Sequence, residues 1–339
     1  MTTSYAPVRI GILGAAKIAR SFVEAVAPSQ TVKIAGVASR DAAKAAAFAR
    51  EFSIAKSYGS YDALLDDPGI DAVYNPLPNS LHAEWSIKAA AAGKHILCEK
   101  PLAVSGVEAR SMFEAAKRHG VYLVEAYPYL AQPQTIKTRE LVRSGAIGTV
   151  KLIRSSFGVM FNDPANIRLM PDLGGGSLMD AGSYAVSFVR VIAGEQPTRV
   201  HAVAQWTETG VDKTLLATLE FKSGLMAQIS SSFASAYHRH AQIAGDAGSI
   251  ETTYLNHPPI GGAPAIQLRR GLIAAVEAET VTVTGGNGFL AEAQSFARML
   301  NAGPSAWTGA TPEESIDIAF TLEALLRSAR SGRAETVAA

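Results

Sequence analysis

Two short stretches of this 339-residue chain carry side chains suited to moving a proton. In Glu99-Lys100-Pro101 a lysine follows an apolar run and sits in a rigid X-Pro unit. From there its ammonium can donate to a substrate hydroxyl or lower the pKa of a neighbouring acid. Alone, such a lysine would be a solvated residue at a strand end. In the second stretch, Gly174-Gly175-Gly176 opens a helical pattern in which Asp180 and Tyr184, four apart, share one face. A carboxylate and a phenol side by side make a proton-transfer set. The plainer alternative has Asp180 satisfying the glycine-loop amides and Tyr184 serving the core.

The cofactor such chemistry would use has its own signature. Gly11-Ile12-Leu13-Gly14-Ala15-Ala16-Lys17-Ile18-Ala19 is a tight turn of small residues between a strand pattern and a helix pattern. Small side chains let the backbone approach a pyrophosphate, and the amides of the helix start face that anion. Aligned to G-x-G-x-x-G/A, the glycine positions become Gly14, Ala16 and Ala19, so the middle one carries a methyl group. The second strand ends in Ser39-Arg40-Asp41. A small hydroxyl leaves room for a 2′-phosphate and Arg40 can pair with it, which points to NADP, with NAD possible. The alternative is a solvated Arg40 beside an Asp41 that caps its helix. Pro76, Leu77, Asn79 and His82 fall in a loop at the carboxyl end of a strand, the edge where open α/β sheets bind ligands.

These residues need a frame to position them. Strand-like segments at 8–13, 32–38, 72–75, 95–98 and 121–125 alternate with alanine-rich helical stretches, which predicts a parallel, doubly wound domain. Beyond residue 126, strand patterns at 148–157, 199–206, 215–221, 225–233 and 237–243 follow one another across short turns. Helices are predicted at about 175–193, 288–300 and 313–331. The division expected is 1–126 for a dinucleotide-binding domain and 127–339 for an α+β domain, with the last helix packing near the first.

Composition narrows the function. Hydrophobic residues make up 48% and charged residues 18%, enough apolar material for sizeable cores. Thirty-one Lys plus Arg against 30 Asp plus Glu leave a net charge of +1, with no basic field for nucleic acid or an anionic membrane. The lone Cys98 excludes a disulfide framework, and no apolar run approaches a membrane span or a signal peptide. A cytoplasmic protein is expected. His238-Arg239-His240 lacks the company of a metal-ligand set, so no metal is expected.

Six motifs in register, Gly11 to Ala19, Ser39-Arg40, the Pro-Leu-Pro-Asn-Ser loop at 76–80, Glu99-Lys100-Pro101, Glu125-Ala126 and the 174–184 glycine run, resemble the Gfo/Idh/MocA family of oxidoreductases. Tyr184, with Asn166-Ile167-Arg168, is similar to the branch of dimeric dihydrodiol dehydrogenases and NADP-linked xylose dehydrogenases. The resemblance implies a Rossmann domain followed by a domain with a large open, mostly antiparallel sheet, and a site between them where Lys100, Asp180 and Tyr184 carry the chemistry. It implies cofactor contacts from Gly11, Gly14, Ala16, Lys17, Ile18, Ser39, Arg40, Pro76, Leu77, Asn79, His82, Glu99 and Lys100. Substrate contacts are expected from Tyr127, Phe161, Asn162, Arg168 and Tyr237. In the segment after Ala126, where an aromatic-Arg-aromatic-His run is usual, this chain reads Tyr127-Pro128-Tyr129-Leu130. The function expected is reversible, NADP-linked hydride transfer at a carbinol carbon of a sugar or polyol. A trans-dihydrodiol dehydrogenase, or a nucleotide-binding regulator that has lost turnover, are the alternatives. A sheet covered on one face only would pair with its copy, giving a homodimer or tetramer.

Overall fold

The computed structural model describes residues 6–338 apart from 162, 164, 259–262, 274 and 275. In chain order the first elements are β1 (Val8–Leu13), α1 (Lys17–Val26), β2 (Val32–Ala38), α2 (Ala42–Glu51), β3 (Lys56–Tyr58), α3 (Tyr61–Leu65), β4 (Ala72–Asn75), α4 (His82–Ala91), β5 (His95–Glu99), α5 (Gly106–Arg118) and β6 (Leu123–Ala126). Then come α6 (Pro133–Arg143), β7 (Val150–Gly158), α7 (Ser183–Ala193), β8 (Pro197–Trp206), β9 (Asp212–Phe221), β10 (Met226–Ser232), β11 (His238–Gly245), β12 (Gly248–Thr253), β13 (Ala265–Arg270) and β14 (Glu279–Thr282). The chain closes with α8 (Gly288–Ala302), α9 (Pro312–Ser331) and β15 (Glu335–Thr336).

The described chain forms two compact units. One comprises the residues up to Ala103 with Glu108–Ala131 and Asn287–Pro312; the other comprises Val104–Val107, Gln132–Gly286 and the residues from Glu313 onward. A single cut at 126 therefore differs from the packing, because the chain returns to the first unit after residue 286. The helix that returns is α8. Phe289, Ala293, Phe296, Ala297 and Met299 lie in one core with Val8, Ile10, Phe22, Val37 and Tyr74. Asn287 fixes its start, with Oδ1 accepting from the Phe289 amide at 3.0 Å. Burying a side chain the size of Phe296 contributes roughly 1.5–3 kcal/mol.

In the first unit six parallel strands run in the order β3-β2-β1-β4-β5-β6. Their apolar character on both faces follows from helices covering both sides. Strand β3 went unpredicted because Lys56-Ser57-Tyr58 is short and mostly exposed, with no apolar run to mark it.

The second unit carries a nine-stranded sheet in the order β14-β13-β12-β11-β7-β10-β9-β8-β15. Every neighbouring pair is antiparallel except β7 with β10, which lie parallel from Met226↔Leu152 to Ser232↔Gly158. The glycine run and α7 intervene between β7 and β8, so β7 meets β10 through a crossover. The Rossmann unit and large, mostly antiparallel sheet expected from the sequence both hold. One sheet face is packed; on the other, Val203, Leu216 and Met226 are exposed.

Helix α8 also carries a carboxylate into the interior of the first unit. Glu292, in helical phase with Phe289 and Phe296, is only 1% exposed, and neither carboxylate oxygen has a hydrogen-bond partner among the described residues. Burial, and then the charges of Glu99 and Glu125, push its pKa well above the usual range. A carboxyl whose folded pKa is raised costs stability as pH rises above its unfolded value of about 4.3, by about 1.4 kcal/mol per pH unit until the folded pKa is reached. Glu292→Gln should thus gain stability relative to wild type as pH is raised from 4 toward 8, in urea unfolding followed at several pH values; a pH-independent difference would refute the buried neutral carboxyl.

Candidate functional site

Between β1 and β4 the strand order reverses, and the carboxyl ends of the strands there form the expected ligand edge of an open α/β sheet. Gly14 stands at the end of β1 with φ +105°, a conformation glycine adopts without strain, and its amide donates to Ala38 O at 2.8 Å. Helix α1 then starts at an extended Ala16 whose side chain caps nothing, with Lys17 exposed and Ile18 half-buried. This small-residue turn and uncapped start fit a pyrophosphate. Gly11 has a different part: a Cβ there would stand 2.6 Å from Leu64 Cδ2, so it serves close packing.

At the end of β2, Asp41 is committed to the helix. Its Oδ1 accepts from the amides of Ala43 at 3.0 Å and Lys44 at 3.1 Å, and the Asp41 amide donates to Ser39 Oγ at 3.2 Å. Arg40 is exposed between them. The acidic group in this corner is thus a cap, and the exposed charge beside Ser39 is positive.

Lys100 is half-buried after β5, on a turn fixed from several sides. The Lys100-Pro101 peptide is cis. Glu125, on β6, accepts from the Leu102 amide at 2.8 Å, and Glu99 accepts from the Tyr74 hydroxyl at 2.5 Å. His82 is fully buried; Nδ1 lies 2.9 Å from Pro101 O and Nε2 lies 2.8 Å from Leu77 O. Burial lowers the pKa of the ring, and a neutral imidazole donates to one of these two carbonyls while its other nitrogen faces the second. The imidazole, expected at the cofactor, instead ties the loop after β4 to the lysine turn. Asn75 supports the same loop, donating to Ser86 Oγ at 3.1 Å and accepting from the Leu77 amide at 3.3 Å. Pro76 and Leu77 are buried while Asn79 stays half-buried. Tyr127 is 1% exposed, edge-on to Tyr129.

In the second unit the glycines are required. Gly174 and Gly176 have φ of +73° and +119°, and a Cβ on Gly175 would stand 2.5 Å from Arg168 O. One turn of π-helix, Leu178–Gly182, leads into α7. Its start is held by Asp212, a residue sequence reasoning missed: Oδ2 accepts from Ser177 Oγ at 2.6 Å and from the Leu178 amide at 2.7 Å. Because Asp212 takes that duty, Asp180 is turned to Arg168, with Arg168 Nε donating to Asp180 Oδ2 at 2.8 Å. Arg168 in turn lies over Phe161.

Tyr184 has different company. Asn256 Nδ2 donates to its hydroxyl at 3.1 Å, Phe157 meets its ring edge-on, and the guanidinium of Arg239 lies 3.9 Å from its ring centroid. Tyr237, 63% exposed, meets the other side of Phe157. Asn162 lies outside the described residues. Arg239 was missed as a site residue, although it is in strand phase with the buried Ala241 and Ile243, opposite to His238 and His240. Among the described residues there is no cluster of three metal-ligating side chains, and no helix long and apolar enough to cross a membrane.

Comparison with known proteins agrees with this architecture. Residues 8–127 match the model of the oxidoreductase family with an NAD-binding Rossmann fold, and residues 135–251 match the GFO/IDH/MocA C-terminal domain. The chain is 39% identical over 332 residues to D-xylose 1-dehydrogenase (NADP(+)) 2 of Haloferax volcanii, covering 96% of this chain and 98% of that protein. It is 36% identical over 245 residues to trans-1,2-dihydrobenzene-1,2-diol dehydrogenase of Xenopus tropicalis, covering 71% and 74%. A 3-ketoreductase from Actinomadura kijaniata, solved with NADP and TDP-benzene, superimposes with a TM-score of 0.86 at 29% identity over 95% of this chain and 98% of that one. With both halves matched in order and the resemblance spanning nearly the whole chain, this protein belongs to the Gfo/Idh/MocA family of NAD(P)-dependent oxidoreductases.

Proposed function

We propose that the protein catalyses reversible, NADP-linked hydride transfer at a carbinol carbon of a sugar or related polyol. The bound nicotinamide supplies the hydride acceptor or donor. Lys100 holds the substrate oxygen, Tyr184 exchanges its proton as general acid/base, and Asp180 orients substrate through its pairing with Arg168. The observation that supports this reading is the turn bearing Lys100 at the end of β5, where the Leu102 amide donates to Glu125 and the Pro101 carbonyl faces the His82 ring. Preference for NADP rests on Arg40 beside a small Ser39, with Asp41 already spent as a cap. A cytoplasmic setting is favoured by the single, buried Cys98.

A screen of aldoses, polyols and trans-dihydrodiols with NADP should yield a substrate. With it, Lys100→Ala and Tyr184→Phe are each expected to lower kcat/KM by on the order of 10²–10⁴-fold, and full activity in either would sink its assigned role. Arg40→Ala should weaken NADP binding by about 10–100-fold and NAD binding little, read by nicotinamide fluorescence on titration. We further propose a homodimer or tetramer through the open sheet face. That face holds a depression of about 940 Å³ whose lining includes Arg154, His201, Leu216, Gln228, His240 and Gln267. An open face with exposed apolar side chains such as Val203, Leu216 and Met226 can be buried isologously against its copy. Light scattering should give a multiple of the chain mass, reduced by Leu216→Asp; a single-chain mass for the wild type would contradict it.

A further inference from the structure

Arg239 is 5% exposed, and three aromatic rings close around its guanidinium: Tyr184 at 3.9 Å, Tyr254 at 4.8 Å and Phe157 at 4.9 Å from ring centroid to Cζ. Burying a cation this deeply is costly unless hydrogen bonds and aromatic faces offset it. A core of Phe and Tyr needs no such group.

The hydrogen bonds around it have a direction. Arginine only donates, so the Asn256 atom facing Nη1 at 3.2 Å is the amide oxygen. That leaves the amide nitrogen toward Tyr184, donating to the phenol oxygen at 3.1 Å. A donor aimed at a phenol oxygen, and a positive charge stacked on its ring, both favour the ionised form. The second phenol on the same guanidinium is wired oppositely. Tyr254 donates its own proton to Ser156 O at 2.9 Å and accepts from Ser155 Oγ at 2.9 Å. Burial pushes it up to about 12, against the opposing pull of Arg239.

We propose that Arg239 is a positioning residue for the proton transfer, acting through Tyr184: it stabilises the phenolate of Tyr184 directly through the ring face and indirectly by fixing the amide orientation of Asn256. This rests on the general acid/base role given to Tyr184 above. The other titratable or charged groups in this neighbourhood are Tyr254, Tyr237 and His257, the last held below its usual value first by burial and then by Arg239. Elsewhere in this unit Asp180 is paired with Arg168, and helices α6, α7 and α9 carry the Arg139–Glu314 and Arg190–Asp317 pairs.

The test need not use turnover. The chain has ten tyrosines, so ultraviolet titration of phenol ionisation is recorded for the wild type and for Tyr184→Phe, and the difference isolates one phenol. Its wild-type midpoint, which burial raises and Arg239 and Asn256 lower, is the reference. In Arg239→Gln, compared with Arg239→Gln/Tyr184→Phe, that midpoint should rise by about one pH unit or more. Arg239→Lys, which keeps the charge, should fall between, and Asn256→Ala should shift in the same direction as the Gln variant. The alkaline dependence of kcat should move with the titration while KM stays nearly constant. An unchanged midpoint in a folded Arg239→Gln overturns the proposal. Should that variant fail to fold, unchanged midpoints in both Arg239→Lys and Asn256→Ala overturn it instead. Retained turnover in Tyr184→Phe would defeat the catalytic role of Tyr184, and the titration would still decide whether Arg239 acts on its phenol.

Discussion

The chemistry of the first unit depends on a backbone turn of three residues. Lys100 has a long side chain with much rotamer freedom, and a flexible amine is useful only if its root is fixed. The root is fixed by groups that water cannot reach: the Glu125 carboxylate on the Leu102 amide and the His82 ring on the Pro101 carbonyl. In a low-dielectric interior such bonds are strong, and leaving either partner unmade is expensive. Strand β6 and helix α4 are needed at their observed places because each supplies one of these groups. His82 extends the constraint to Leu77, so the loop after β4 and the lysine turn share one buried anchor.

The second unit follows the same logic with other residues. Asp212 meets the start of the helical segment, and the glycines before it let the chain bend where any side chain would collide. That division of labour matters chemically. With the backbone amide satisfied by Asp212, Asp180 keeps its carboxylate for Arg168, and the π-turn delivers Tyr184 into an aromatic cluster containing a cation. π-helical turns recur where a regular helix would aim a side chain wrongly.

What the sequence made legible follows from range. Gly14, Ser39-Arg40, Lys100 and Tyr184 belong to motifs read within a dozen residues, and strand or helix periodicity supplies their local setting. Asp212 and Arg239 act on partners tens of residues away, and Glu292 is buried in a core built from the opposite end of the chain, so no local window contains both ends of the arrangement. Two of them still leave a trace. Arg239 interrupts the apolar phase of β11, and Glu292 sits on the apolar face of α8 between Phe289 and Phe296. A charge in phase with the core is the mark of a buried polar role. Asp212 leaves no such mark, and His82 was misplaced because a histidine in a ligand loop looks the same whether it faces the ligand or the protein.

Helix α8 also has a consequence for how the protein is made. The nucleotide-binding core is written in two parts, with the last of it arriving only after residue 286. During synthesis the six parallel strands emerge early but expose the surface that Phe289, Phe296 and Met299 will later cover. A ribosome adding about 5–20 residues per second leaves that surface open for roughly ten seconds or more. Most of the sheet unit, Gln132–Gly286, emerges in that interval, so the lobe whose motifs come first in the sequence must wait for a segment made after most of the other unit.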